Sequence, residues 1–527
     1  MIDGAMQTYS LTLDKFIDHA AKWRPDVEVV TARENGAVDR IGYAALRARA
    51  VDTSRMLAGL GVAFGDRVAT LAWNTQAHVE AWYAIMGMGA VCHTLNPRLT
   101  AEQLATMLNK SEARQLIVSA DLAPLAKEIV KQASFVTQVL AIDGPAPDWR
   151  EDAPHVAIRA LEPSGAMGDA RWGVFDETAP SGLCFTSGTT GAPKGVTYTH
   201  RSSYLHTLRL LQADVMGLTS ADAVLAVVPM FHANAWGIPF AAPAAGAKLI
   251  LPGRFADGES LARLINSEGV TIALGVPTVW LGLVEHLEQN GGGVPTLERI
   301  VVGGAPMPPA LMERIEQKLG ASVQTSWGMT ELSPLGVSAA PNDPERKAWI
   351  SGRPAVGVDL LLTDVHGEPL PEQRNVEGHL RVRGSAAVER YYGEAEPATD
   401  ANGWFDTGDL ARIDDHGNLV ITGRAKDLIK SGGEWINPAE IEAIVGAHPQ
   451  VSLAAVIGRS HPKWGERPVL LVELGEEQSI TDDELLAPLR ARVASWWIPD
   501  EIVRVPNMPL AATGKIDKLR LRAELEF

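Results

Sequence analysis

Cysteine is almost missing from this chain: its 527 residues include two, Cys92 and Cys184, both in apolar sequence and neither in metal-ligand spacing. A reducing compartment, and with it a cytoplasmic location, is the expectation. Positive charge is also short. There are 47 Lys and Arg against 64 Asp and Glu, a net charge of −17, which disfavours nucleic acid and anionic membranes as main partners. Any site for a polyanion then has to be a local arrangement of donors rather than a product of the overall field. Long hydrophobic runs are missing too. The longest apolar stretch, residues 235–252, is broken by Gly237, Pro239, Pro243, Gly246 and Lys248, which argues against a membrane span. The opening MIDGAMQTYSLTLDKF has neither a basic start nor an apolar core and does not read as a secretory signal. Internal repeats and low-complexity tracts are likewise not seen.

What is present is an ordinary globular composition, 46% hydrophobic and 21% charged, in a chain too long for one core. Runs at 67–72, 115–118, 138–142, 183–186, 223–228, 248–251, 271–274 and 299–302 read as strands between helical patterns. Residues 11–23 read as a helix with Ser10 as N-cap and Leu13, Phe16, Ile17 and Ala20 on one face. This alternation predicts a large α/β region with mainly buried sheets. After about residue 355 the texture changes. Residues 356–364 and 377–383 read as strands, and 410–413 and 419–422 flank Asp414-Asp415-His416-Gly417-Asn418, a hairpin signature. Beyond Arg424 a separate α+β pattern follows, with helices at 438–447 and 482–495 and strands at 453–457 and 468–474. The boundary falls at 423–427, dividing a large domain, 1–425, from a small one, 426–527.

The strand at 183–186 runs into Thr186-Ser187-Gly188-Thr189-Thr190-Gly191-Ala192-Pro193-Lys194-Gly195. Glycines let successive backbone N–H groups converge on phosphate oxygens. The hydroxyls of Thr186, Ser187, Thr189 and Thr190 add donors, and Lys194 adds a mobile positive charge. A flexible surface linker would not need a lysine and a proline set behind a buried strand. A Walker loop requires Gly-Lys followed by Ser or Thr, whereas Lys194 follows Pro193 and precedes Gly195, so that reading fails.

The segment resembles the phosphate-binding motif of the adenylate-forming superfamily: acyl-CoA synthetases, peptide-synthetase adenylation domains and firefly luciferase. The similarity runs through essentially the whole chain, and the other motifs follow in the family's order. The resemblance implies an α/β fold, with a large N-terminal domain of stacked sheets, helices and a β-barrel-like subdomain. A small mobile α+β C-terminal domain completes it. It implies ATP, CoA and a carboxylic acid as substrates, with Mg²⁺ as cofactor.

Ser326-Trp327-Gly328-Met329-Thr330-Glu331 matches the adenine and metal motif, with Trp327, where the family more often has Tyr, packing on adenine. Thr330 then meets the α-phosphate, and Glu331 holds Mg²⁺ with Thr186. Gly303-Gly304-Ala305, leaving a strand, would lie along the adenine and the acyl pocket. Asp409, in Trp404-Phe405-Asp406-Thr407-Gly408-Asp409, would accept from both ribose hydroxyls, with Arg424 nearby. Lys515 matches the C-terminal lysine that stabilises charge building on the α-phosphate. The hinge of the small domain is placed at Lys426. After rotation, Lys430, Ser431, Gly432, Gly433, Glu434 and Trp435 would line the pantetheine channel.

Phe231-His232-Ala233-Asn234-Ala235-Trp236 resembles the gate segment of fatty acyl-CoA synthetases. His232 would sit by the substrate carboxylate, and Trp236 would block the acyl tunnel until ATP binds. Peptide-synthetase domains usually carry Asp where His232 stands, so an amino-acid substrate is disfavoured. Trp327-Gly328-Met329-Thr330-Glu331 and the Ser333–Gly336 that follows look like medium-chain and methylmercaptopropionate-type CoA ligases. Pocket walls including Val276 and Gly303 suit a medium-chain aliphatic or aryl acid. Luciferase-type oxidation shares nearly every motif, and the gate tryptophan favours CoA. Few residues follow Lys515, so no fused carrier domain is expected. The N-terminus resembles that of dimeric relatives, which implies a homodimer.

Overall fold

The structure is a computed structural model describing residues 3–149, 153–162, 171–186, 193–341, 343–432, 434–475, 480–511 and 514–524. Its first helix, Asp14–Trp23, buries Phe16, Ile17 and Ala20 against the core beside Leu13, as the helical spacing requires. Ser10 does not cap it. Leu13 holds the cap position without a side-chain bond, and the Ser10 carbonyl accepts from Thr12 N–H in a preceding turn.

The chain divides into two compact units: Met1–Leu274, Met329–Leu335 and Ser385–Ala398, and Gly275–Gly328, Gly336–Gly384 and Thr399–Phe527. In the first unit, one sheet runs in the order Ala157–Ala160, Gln138–Ile142, Gln115–Ser119, Arg67–Leu71, Val91–Thr94, Pro180–Phe185, Gly195–Thr199. All its pairs are parallel except the last. Strand Gln115–Ser119 is buried throughout, which is why 115–118 reads as a largely apolar run instead of alternating; Val91–Thr94 is buried too, but His93 and Thr94 keep it from reading as a strand. A second group pairs Ala223–Ala226 with Ile272–Gly275 and Lys248–Leu251, then Glu28–Ala32 and the antiparallel Val38–Gly42.

The second unit contains the parallel pair Arg299–Val302 and Ser322–Gly328. The barrel-like subdomain is an antiparallel meander of Val358–Thr363, Glu377–Gly384, Phe405–Ile413 and Leu419–Arg424. At the C-terminal end, Gly465–Leu474 is the central strand of a small sheet, with Val451–His461 along its edge. Alternate residues face opposite ways. Val456, Leu470 and Val472 pack against Ile441, Val445, Leu485 and Leu489 from the helices Pro438–Gly446 and Asp482–Arg490. Ile457, Val469 and Leu471 pack on the other face against Met508 and Leu521. The second of those helices ends at Arg490, short of the expected 495. Pro488 removes a backbone donor near its end, and Ser495–Trp497 forms a separate turn.

Candidate active site

In the first unit, strand Pro180–Phe185 leads through the Gly/Ser/Thr segment and back into the antiparallel strand Gly195–Thr199, with Phe185 opposite Gly195. A P-loop would enter a helix instead. The predicted phosphate donors Ser187, Gly188, Thr189, Thr190 and Gly191 lie outside the described residues. The two stems are tied: Thr186 N–H donates to the Lys194 carbonyl at 2.9 Å, and its hydroxyl reaches the same oxygen at 3.4 Å. Lys194 Nζ lies 4.8 Å from the ring centroid of Tyr391, within cation–π range. The Tyr391 hydroxyl donates to Glu331 Oε1 at 2.9 Å. Burial, then the Glu331 carboxylate, raises the Tyr391 pKa and keeps it a donor.

Two backbone bonds set this register, Val388 N–H to the Glu331 carbonyl and Tyr392 N–H to the Gly195 carbonyl, both 2.7 Å. A Cβ at Gly195 would lie 2.9 Å from Tyr392 Cβ, so only glycine admits the tyrosine pair. Thr330 is anchored by Tyr198, whose buried hydroxyl donates to its carbonyl at 2.9 Å. Sequence reasoning missed Tyr391. Its one signal was the Tyr391-Tyr392 pair within a polar stretch. Among the described residues no three His, Cys, Asp or Glu side chains converge as a metal cage. Mg²⁺ is commonly held by one or two carboxylates together with substrate phosphates, and Glu331, buried and steered by Tyr391, suits that role.

In the second unit, Val302 and Thr325 are partners in parallel strands, so Gly303, Gly304 and Ala305 leave one strand beside Ser326 and Trp327 of the other. Gly304 takes φ +78°, and the Ser326 hydroxyl donates to the Val302 carbonyl at 2.8 Å. Trp327 Nε1 donates to Asp409 Oδ2 at 2.9 Å, and Arg424 Nε meets Asp409 Oδ1 at 2.7 Å. Asp409 is 2% exposed and lies within strand Phe405–Ile413, while Asp406 makes the turn bond to Gly408 N–H. Burial pushes the Asp409 carboxyl pKa up, opposed by Arg424, the Trp327 N–H and Lys515.

Lys515 is presented by a tight hairpin. Ala511 N–H bonds to the Lys515 carbonyl, Asp517 N–H bonds to the Pro509 carbonyl, and Leu510 bridges Ile516. The hairpin leans on the predicted acyl-pocket wall. Gly514, at φ +81°, would bring a Cβ within 3.0 Å of Val276 Cγ2, and Thr278 Oγ1 donates to its carbonyl at 3.4 Å. Lys515 and Asp409 are therefore electrostatic neighbours within one unit.

Lys426 sits in the short turn Ala425–Asp427. Burial lowers its pKa, with Asp427 and Asp409 opposing. Lys430, Ser431, Glu434 and Trp435 form a hairpin in which Lys430 faces Trp435 and Ser431 faces Glu434. Gly432, at φ +62°, makes its turn, and a Cβ there would lie 2.9 Å from Trp464 Cε3. Gly433 lies outside the described residues. Trp435 is 54% exposed, with Lys430 Nζ 5.4 Å from its ring centroid.

The gate segment, in the first unit, has an unusual backbone. Ala233, Asn234, Ala235, Trp236 and Gly237 have φ of 43°, 55°, 46°, 51° and 79°, five consecutive left-handed residues. Each of the four non-glycine residues costs about 1–2 kcal/mol relative to right-handed geometry, so the surroundings must over-determine the turn. A Cβ at Gly237 would lie 2.9 Å from His206 Nδ1, which shows how tightly it is enclosed. His232 N–H bonds to the Pro229 carbonyl at 3.1 Å, ahead of the turn.

The AMP-binding enzyme family model matches residues 17–392, and the AMP-binding enzyme C-terminal domain model matches 440–515. The 3-methylmercaptopropionyl-CoA ligase of Ruegeria lacuscaerulensis is 41% identical over 532 residues, covering 99% of each chain. The medium-chain-fatty-acid–CoA ligase of Ectopseudomonas oleovorans is 40% identical over 530 residues, 98% of this chain and 97% of its own. Among solved structures, o-succinylbenzoate coenzyme A synthetase from Bacillus subtilis, in complex with ATP and a magnesium ion, has a TM-score of 0.79 at 26% identity. That match covers 96% of this chain and 99% of the other. With two family models in chain order and full-length relatives of this kind, the chain belongs to the AMP-binding enzyme family, as an AMP-forming acid–thiol ligase of the acyl-CoA synthetase group.

Proposed function

We propose that the enzyme activates a medium-chain fatty acid, or an aliphatic or aryl acid of similar size, and transfers the acyl group to CoA. The names of the two relatives support that size class. The observation that carries the residue assignment is the approach of the Lys515 hairpin to Val276 and Thr278 in the unit that holds Asp409. A carboxylate oxygen attacks the α-phosphorus of ATP, the bond to the pyrophosphate oxygen breaks, and acyl-AMP forms. Charge builds on the non-bridging α-oxygens, and a cation aimed there stabilises the transition state more than the ground state; Lys515 takes this role.

Asp409 accepts from the ribose hydroxyls, Trp327 and Gly304-Ala305 flank the base, and Thr186, Lys194 and Thr330 meet the phosphates. Glu331, with Thr186, would hold Mg²⁺, which would neutralise phosphate charge. His232 orients the acid, and Trp236 gates its pocket. In the second half-reaction the CoA sulfur attacks the acyl carbon, AMP leaves and the thiol proton is released. Lys515 must withdraw first, by rotation of 426–527 about Lys426, which brings Lys430, Ser431, Gly432, Gly433, Glu434 and Trp435 to the pantetheine. The enzyme works as a cytoplasmic homodimer.

The test is pyrophosphate release with short to long aliphatic acids and aryl acids, with and without CoA. Medium-length acids are expected to give the highest kcat/KM and acyl-CoA as product. Preference for an amino acid, or product formation indifferent to CoA, would overturn the reading.

A further inference from the structure

The gate segment leaves its sheet at Ala226, and beyond its last ties to the neighbouring strand its backbone groups need other partners. Val227 and Val228 N–H both bond to the Leu274 carbonyl at 3.1 Å. The carbonyls of Ala226 and Val228 and the N–H of Met230 turn the other way, and one side chain meets all three. Asn74 Nδ2 donates to the Ala226 and Val228 carbonyls, each at 2.8 Å, and Asn74 Oδ1 accepts from Met230 N–H at 2.7 Å. Asn74 is 3% exposed, and its own carbonyl accepts from Gly253 N–H at 3.0 Å. Next to it, the Trp73 ring meets Phe231 edge-on at 6.3 Å, and the Arg98 guanidinium lies 6.0 Å from the Phe231 ring centroid.

A carboxamide offers two N–H donors and an acceptor on one short stem, the set these three backbone groups require. Aspartate has the same shape but no donor when ionised and would set a negative charge against two carbonyl oxygens. Two residues beyond Met230 stands His232, and directly after it comes the left-handed turn whose strain something must hold.

We propose that Asn74 is a positioning residue for the carboxylic acid: its carboxamide fixes the path of residues 226–230 and thereby the placement of His232 and Trp236. This rests on the reading that His232 and Trp236 meet the acid. The Asn74 side chain bonds Ala226, Val228 and Met230, none of them assigned to ATP, so the effect is expected on the acid and not the nucleotide.

The test uses the full-length enzyme with Asn74→Asp and Asn74→Gln, measuring acid-dependent ATP–pyrophosphate exchange with the best acid found for the wild type. Loss of several buried hydrogen bonds to the backbone predicts an acid KM about 30-fold higher in Asn74→Asp. Asn74→Gln keeps both donors and the acceptor, and its acid KM is expected to rise about fivefold. The ATP KM of both stays within about twofold of wild type. An acid KM unchanged in both variants, or acid and ATP KM rising by the same factor, overturns the proposal. If Asn74→Asp does not fold, Asn74→Gln decides by the same split. A wild type without acid-dependent exchange would instead sink the functional reading.

Discussion

In the first unit the acid Glu331 is met by a neutral phenol, and the cation Lys194 stands on that phenol's ring, 4.8 Å from its centroid. In the second unit the acid Asp409 is met directly by a cation, Arg424 at 2.7 Å, and by an indole N–H. The two arrangements suit different partners. Charge-assisted bonds fix a carboxylate before any ligand arrives, and its remaining lone pairs can still accept hydroxyls. A lysine resting on an aromatic face gives up a contact worth about 0.5–1 kcal/mol when it moves, so on the proposed assignment Lys194 can follow the pyrophosphate as it leaves. On that assignment, the ribose end is built in advance, while the phosphate end keeps its charge mobile.

The strongest way to break the second arrangement is to remove Lys515, the cation proposed to serve the transition state. Lys515→Ala is expected to slow acyl-AMP formation by at least about 10³-fold, toward the upper end of what one preorganised charge contributes. Conversion of supplied acyl-AMP to acyl-CoA should stay within about threefold, because Lys515 must leave for that step. Single-turnover measurements of each half-reaction separate the two, and equal losses would refute the rotation about Lys426.

Next in size is the contrast between the two acids. Asp409→Asn keeps the shape but loses the Arg424 ion pair and one of the two acceptor oxygens, so the ATP KM should rise about 10–100-fold. Glu331→Gln should act mainly on kcat and on the Mg²⁺ concentration needed for half-maximal rate. A mutant pair that changed ATP KM equally would erase the distinction.

Tyr391→Phe is milder. It removes the bond to Glu331 and leaves the ring under Lys194, so a loss of about 1 kcal/mol, fivefold in kcat, is expected. Combined with Glu331→Gln it should cost little more than Glu331→Gln alone. Full additivity in the double-mutant cycle would show that Tyr391 does not act through Glu331.

The sequence made the parallel strands and the order of motifs legible because buried strands carry continuous apolar runs, and Lys515, Glu331 and Asp409 stand at fixed places in recognisable segments. It did not reveal strand Gly195–Thr199, whose polar GVTYT lacks that pattern, nor the chain break that lets residues 385–398 join the first unit. Tyr391 was illegible for the same reason: only the fold brings it 60 residues back to Glu331. The left-handed turn at 233–237 was hidden because, although Asn234 and Gly237 suit such a backbone, Ala233, Ala235 and Trp236 do not announce it.

The smallest expected effect concerns pH, and it tests whether the ribose end is as fixed as its geometry. Burial raises the Asp409 pKa above that of an ordinary aspartate, despite Arg424, Trp327 and Lys515. A carboxyl raised in the folded state binds its proton more readily there, so its contribution to stability is present at low pH and is lost as pH rises through the folded pKa. Ionised Asp409 at neutral pH therefore costs the fold something, and the ligand site benefits. Asp409→Asn should melt at or above the wild-type temperature at pH 7, within about 1 kcal/mol, while binding ATP more weakly. As pH falls, the wild-type carboxylate takes up its proton and loses acceptor capacity toward ribose. The ATP KM should then climb on the acid side, starting at a higher pH than an unperturbed aspartate would allow, and Asp409→Asn should remove that limb. Thermal melts at pH 5 and pH 7 together with ATP KM across the same range decide it: a variant less stable than wild type at pH 7 would mean that the Arg424 pair outweighs burial and that Asp409 serves the fold as much as the nucleotide.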